Sequence, residues 1–155
     1  MPEITKDALS RYRLRRAEEM LASAQRELAA GDFASANNRA YYAIFHMMRA
    51  VLALDGEDYK KHSAVIARFT LNYLKTEILP REYSKLITNA SLIRNRSDYE
   101  DFYICSIDDT HLLLSGAKAF YKTVSEYVVS AEKVAYVMHI CECRKQTACY
   151  SANKL

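Results

Sequence analysis

The segment Arg94-Asn95-Arg96-Ser97-Asp98-Tyr99-Glu100-Asp101-Phe102-Tyr103 is the densest run of chemically capable side chains in the sequence. On a helix, Arg94, Asp98 and Asp101 stand at i, i+4 and i+7, so they share a face. A guanidinium steadied by a carboxylate can grip a phosphate with two parallel hydrogen bonds, which a lysine cannot reproduce. The plainer reading is an intrahelical ion pair, at about 0.3–0.5 kcal/mol. A cation placed before its acid is the weaker order for such a pair, so stability is a poor reason for it.

Two further groups stand out. Arg39, Tyr42, His46 and Arg49 follow at steps of three and four, a second helical face suited to a nucleotide or RNA. His46 reads more readily as a packed, hydrogen-bonded histidine, and Tyr41-Tyr42 as packing rather than base stacking. Lys60-Lys61-His62-Ser63 puts cations at the start of a helix. They oppose the helix dipole there but, with free backbone donors, they suit an anion. The run Arg11-Tyr12-Arg13-Leu14-Arg15-Arg16, followed by Glu18 and Glu19, is a solvated helix face or a phosphate-contacting patch. A phosphate-cradling glycine loop, a His-Glu-x-x-His zinc helix and a Gly-x-Ser-x-Gly elbow are all missing from the sequence.

The elements that must position these groups read as helices. The chain has 155 residues, the size of one domain, with only 3 Gly and 2 Pro. So few turn residues argue against an all-β fold and against a disordered chain. Apolar residues recur at three and four almost throughout. Helices are expected from about Thr5 to Ala30, Phe33 to Leu54, His62 to Lys75, Arg81 to Phe102 and from Ser106 to about Val129. Gly31-Asp32 ends the first and caps the second. Pro80 opens the fourth, and Ser106-Ile107-Asp108-Asp109 resembles a capping box for the fifth. The expected architecture is an all-α, up-and-down bundle of about five helices over residues 1–130, with a C-terminal extension, helical or loosely ordered, over 131–155.

Net charge is +3, small for nonspecific nucleic-acid binding unless clustered. No stretch approaches the roughly 20 apolar residues of a membrane-spanning helix. The polar N-terminus does not look like an export signal, and 4 Cys make no disulfide framework, so a cytoplasmic protein is expected. Cys141, Cys143, Cys149 and His139 have the types for zinc. Residues two apart on a helix point about 200° apart, however, so no metal and no cofactor is expected.

Arg16-Ala17-Glu18-Glu19-Met20-Leu21, followed by Gly31-Asp32-Phe33-Ala34-Ser35-Ala36-Asn37-Asn38-Arg39-Ala40-Tyr41-Tyr42-Ala43-Ile44-Phe45-His46, resembles the HEPN domain superfamily. Lys61-His62-Ser63 ahead of Phe69, with Arg94-x-x-x-Asp98-Tyr99, resembles one prokaryotic single-domain group within it. The resemblance covers roughly residues 10 to 130. It implies a helical bundle that forms a homodimer, with its functional residues near the dimer cleft. Many such proteins are metal-independent ribonucleases, often toxins paired with a small nucleotidyltransferase antitoxin. Their motif is an Arg, four to six residues, then a His, sometimes followed by x-Tyr.

This sequence departs from that motif. From Arg94 the two positions hold Tyr99 and Asp101; from Arg96, Asp101 stands in the His place and Tyr103 in the Tyr place. A Tyr with pKa near 10 is ionised only about one part in a thousand at pH 7, whereas a His near 6.5 is mostly free base. His62 or His46, reaching across a dimer, can supply the missing base. The expected catalytic set is Arg94, Asp98, Tyr99 and His62. Arg39, Tyr42, His46, Lys61 and Arg96 are expected to bind nucleotide or RNA, and Tyr99 and Tyr103 are the phenols a partner would modify. The alternative is a non-catalytic module that docks a nucleotidyltransferase or a nucleotide through the same face.

Overall fold

A computed structural model describes residues 5–152, with side chains placed as far as residue 139. Five helices form an all-α bundle, with no strand among the described residues. Helix α1 spans Lys6–Ala29, where the Thr5 side chain accepts from the Ala8 amide at 3.2 Å. Gly31, at φ +79°, turns the chain. Asp32 then caps α2, Phe33–Leu54, by accepting from the Ser35 amide at 3.0 Å. The left-handed turn is why glycine stands there.

Helix α2 is the axis of the bundle. It touches α1, α3 (His62–Phe69), α4 (Tyr83–Tyr99) and α5 (Ile107–Ala152). Its buried residues therefore lie all round it rather than in one stripe. Tyr41, Phe45 and Met48 are all buried in the chain's own core. Asn37 is buried too, and donates through Nδ2 to Thr110 Oγ1 of α5 at 3.0 Å.

Several boundaries differ from the expected ones. The third helix is α only to Phe69 and continues as a π turn, Thr70–Leu74, closed by the Lys75 amide on the Thr70 carbonyl at 2.9 Å. Pro80 sits in the preceding turn, because α4 starts only at Tyr83. The chain leaves α4 at Glu100, whose backbone is extended. Asp101 is thus off the helix and does not share the face of Arg94 and Asp98. Ser106 caps α5 as expected, its hydroxyl accepting from the Asp109 amide at 3.3 Å. Helix α5 does not stop near Val129 but crosses residue 130 without a break. The side chains of Cys141, Cys143 and Cys149 lie outside the described residues.

Candidate functional site

The loop between α2 and α3 carries the first element of the site. Glu57 gathers it, accepting from Tyr59 Oη at 2.8 Å and from Arg68 Nε and Nη2 at 3.2 and 3.1 Å. So tied, the loop delivers His62, the first residue of α3, onto α2. There the imidazole stacks on Phe45 with centroids 4.1 Å apart and planes inclined by 26°. Its Nδ1 lies 2.9 Å from the hydroxyl of Tyr41. The helical spacing of Tyr41 and Phe45, four residues apart, makes one ring a floor and the other a hydrogen-bond partner.

From the other side α4 brings Arg94. Its guanidinium sits 5.2 Å from the Tyr41 ring centre and 5.7 Å from that of Tyr42, a cation over two aromatic faces. Asp98 Oδ2 is 3.4 Å from Arg94 Nε, an ion pair without hydrogen-bond geometry, for the buried Nε has no hydrogen-bond partner among the described residues. Burial, first, and then the charges of Arg94 and Arg49 push the His62 pKa below its ordinary value. Burial pushes Tyr41 up despite Arg94. At neutral pH the site is therefore a neutral imidazole and a fixed cation, joined by a protonated phenol. Helix α3 opens on His62 with no side chain capping its first turn, leaving amide donors beside the cation.

A second cluster adjoins the first. Arg13 is buried, donating to the Arg49 carbonyl at 3.0 Å and to Asp58 Oδ1 at 2.7 Å. Arg49 Nη2 donates to the same oxygen at 2.8 Å. Arg49 also lies 5.8 Å from the Phe45 ring centre, so Phe45 carries both His62 and a cation. His46 faces Arg16, Arg49 and Arg13, and burial together with these charges pushes its pKa down to about 4.

With this geometry in hand, a profile of the HEPN domain matches residues 10–127. The chain belongs to the HEPN domain family. A UPF0332 protein of Thermotoga maritima is 35% identical over 94 residues, 61% of this chain and 71% of that protein. A UPF0332 protein of Pyrococcus horikoshii is 40% identical over 73 residues, 47% of this chain, and the match spans about half (51%) of that protein's length. A protein of Methanocaldococcus jannaschii named "Putative toxin" is 27% identical over 127 residues, 77% of this chain and 86% of its own.

Within this HEPN domain the expected site residues separate. Arg94, Asp98, His62 and Tyr42 come together. His46 lies beside them, its ring 6.2 Å from Phe45. Lys61 is exposed at the start of α3. Arg39 is exposed on α2, with Met20 Sδ 4.0 Å away. Arg96 turns elsewhere, pairing with Glu100 at 3.1 Å and lying 4.5 Å from the Tyr103 ring centre. Tyr99 is 79% exposed, and among the described residues no ion pair, hydrogen bond or ring contact joins it to Arg94 or His62. Sequence reasoning missed Tyr41, Phe45 and Asp58 as partners of the site, and it set Arg49 on the α2 face without its link to Asp58 and Phe45. The four-residue step between Tyr41 and Phe45 was the available signal, but it also fits ordinary core packing.

Among the described residues no helix is long and apolar enough to cross a membrane, and no group of three or more metal-ligating side chains occurs.

Proposed function

We propose that this HEPN protein is a toxin-type, metal-independent endoribonuclease of the cytoplasm, with His62 in place of the absent motif histidine. The observation that carries this reading is that Arg94 and His62 meet on one residue, Tyr41. Cleavage through the ribose 2′-hydroxyl needs a base for its proton and a cation for the crowded phosphorus centre. If Nδ1 holds the imidazole proton and donates it to Tyr41, Nε2 on the opposite edge is free base. It takes the 2′-hydroxyl proton as the O2′–P bond forms. The P–O5′ bond breaks, water protonates the departing 5′-oxygen, and a 2′,3′-cyclic phosphate and a 5′-hydroxyl end result. Arg94, steadied by Asp98, holds the non-bridging oxygens.

The pure protein incubated with RNA and a chelator should yield those ends. Arg94→Ala and His62→Ala should each lower cleavage by about a hundredfold or more while the helical signal persists. RNA left intact at enzyme-level concentrations would sink the reading.

A second reading rests on its own observation. The end of α4 and the following loop expose Leu92 (54%), Tyr99 (79%), Phe102 (97%) and Ile104 (87%). An apolar surface of that kind fits a protein contact. It suits a homodimer, and it suits a nucleotidyltransferase antitoxin that docks without any catalysis by this chain, Tyr99 and Tyr103 being the phenols within its reach. A chain that binds such a partner, yet leaves RNA intact, would favour docking.

A further inference from the structure

The helical face of α2 bearing Arg39, Tyr42, His46 and Arg49 supplies no atom to the bond changes above. Arg39 and Arg49 are ten residues apart, a rise of about 15 Å. Helix α1 runs alongside and adds Arg13 and Arg16, both of which act on His46. The charges along this track do not cancel. Arg13 and Arg49 share a single carboxylate, Asp58. Arg16 pairs with Glu19 at 2.5 Å, and Arg39 faces a thioether, with no carboxylate partner among the described residues. Four cations thus meet two acids, a surplus of two where the whole chain carries +3.

Stability does not explain this crowding. Like charges around a half-buried imidazole oppose folding, and the buried Arg49 Nε and His46 Nδ1 have no hydrogen-bond partners among the described residues. The track also leads somewhere. Tyr42, on the same face, lies edge-on to His62 at 5.9 Å and beneath Arg94 at 5.7 Å. A strand lying along Arg39, Arg16 and Arg49 would therefore pass Tyr42 into the space before His62 and Arg94.

We infer that the α1–α2 face is the seat of the RNA strand flanking the cleaved phosphate, with Arg16, Arg39 and Arg49 as its phosphate contacts. This rests on the ribonuclease reading for its substrate class, but binding tests it apart from cleavage. Labelled 2′-O-methyl oligoribonucleotides lack the nucleophile and so stay intact. Their affinity is read by anisotropy across a salt series, comparing a 12-mer with a dinucleotide. The exposed pair Arg16→Gln/Arg39→Gln leaves the buried Arg13 untouched.

The double variant should bind the 12-mer at least tenfold more weakly. Its log K against log salt slope should shrink by about 1.4, since a single-strand contact contributes about 0.7. Dinucleotide binding should not change, and Arg39→Lys should keep the slope. A 12-mer bound with wild-type affinity and slope by the double variant overturns the track, as does a wild-type protein that binds no oligomer. Normal track binding together with uncleaved natural RNA supports the seat and defeats only the nuclease.

Discussion

Tyr41 and His62, twenty-one positions apart, place a buried phenol oxygen 2.9 Å from an imidazole nitrogen. Tyr41 is almost wholly enclosed, so its oxygen cannot follow the imidazole into solvent. It therefore fixes the ring's orientation and, through the partner of Nδ1, decides which nitrogen is bare. Tyr41→Phe keeps the stack on α2 and removes only this tether. We expect a loss of about 1–3 kcal/mol in unfolding free energy from the unpaired nitrogen. RNA cleavage should fall by about 10- to 100-fold as the base loses its aim. Urea melts and single-turnover rates check the two together, and an unchanged rate would separate Tyr41 from function.

Arg94 should divide stability from function most sharply. Its pair with Asp98 is a helical i,i+4 contact of about 0.3–0.5 kcal/mol, and its place over two tyrosines adds about 0.5–2. Arg94→Ala should therefore still fold but lower cleavage by at least about a hundredfold, as loss of one charge-stabilising donor does elsewhere. Arg94→Lys should be nearly as damaging, because a point charge cannot fork onto two oxygens. Full activity in a protein that only melts earlier would make Arg94 structural.

If His62 is the base proposed above, it should set the acid limb of the rate. Its pKa is depressed by burial and by Arg94 and Arg49, so the base form prevails at pH 7. Activity should fall only as pH drops through a midpoint below the ordinary 6.5. The carbon-proton resonances of His62, followed by NMR, give the midpoint even in a weakly active protein. In Arg94→Gln the midpoint should rise, because one repelling charge is gone. A His62 that titrates at or above 6.5 would remove the physical basis for the assignment.

His46 should govern stability rather than rate. Its folded pKa near 4 lies below the 6.5 of an unfolded chain, so the unfolded state binds the proton more tightly. The contribution is complete above about pH 6.5 and is lost as pH falls toward 4, by about 1 kcal/mol once solvent screening of the half-buried ring is allowed for. Urea midpoints measured across that window should slope downward toward acid. His46→Gln should flatten the slope. A wild-type curve already flat there would contradict the buried, neutral assignment.

The exposed end of α4 bears on assembly. Sedimentation should show a dimer at micromolar concentration, with an interface in the standard size range. Phe102→Asp should dissociate it. A wild-type monomer would end any account in which two copies compose the site.

The bundle was legible because its signals are local. Gly31-Asp32, the run of apolar residues through α2 and the Ser106 cap announce themselves within a few positions. The end of α4 was not, because Tyr99, Glu100 and Asp101 carry nothing that forbids another turn. Of the site, Arg94, Asp98 and His62 could be named in advance, the last through family resemblance. The tether that unites them could not. Tyr41 looks like any core aromatic until α3 and α4 are folded against it, and Tyr99, adjacent to the motif in sequence, ends on the outside. Arg49 likewise shows its partner only when the loop brings Asp58 to it.

Asn37 and Thr110 give the bundle a key and a slot. The carboxamide is buried, and its one described bond crosses to α5, while its own Oδ1 has no hydrogen-bond partner among the described residues. Were α5 to slip by a single turn, about 5.4 Å, that amide would be stranded and the Leu and Val contacts would gain nothing to offset it. An apolar pair such as Asn37→Leu with Thr110→Val could hold the helices as firmly and yet let them settle in more than one alignment. The polar contact thus acts less as glue than as an indexing pin, and the stagger it sets places Ser106, where the loop from the end of α4 enters α5, against the rest of the bundle.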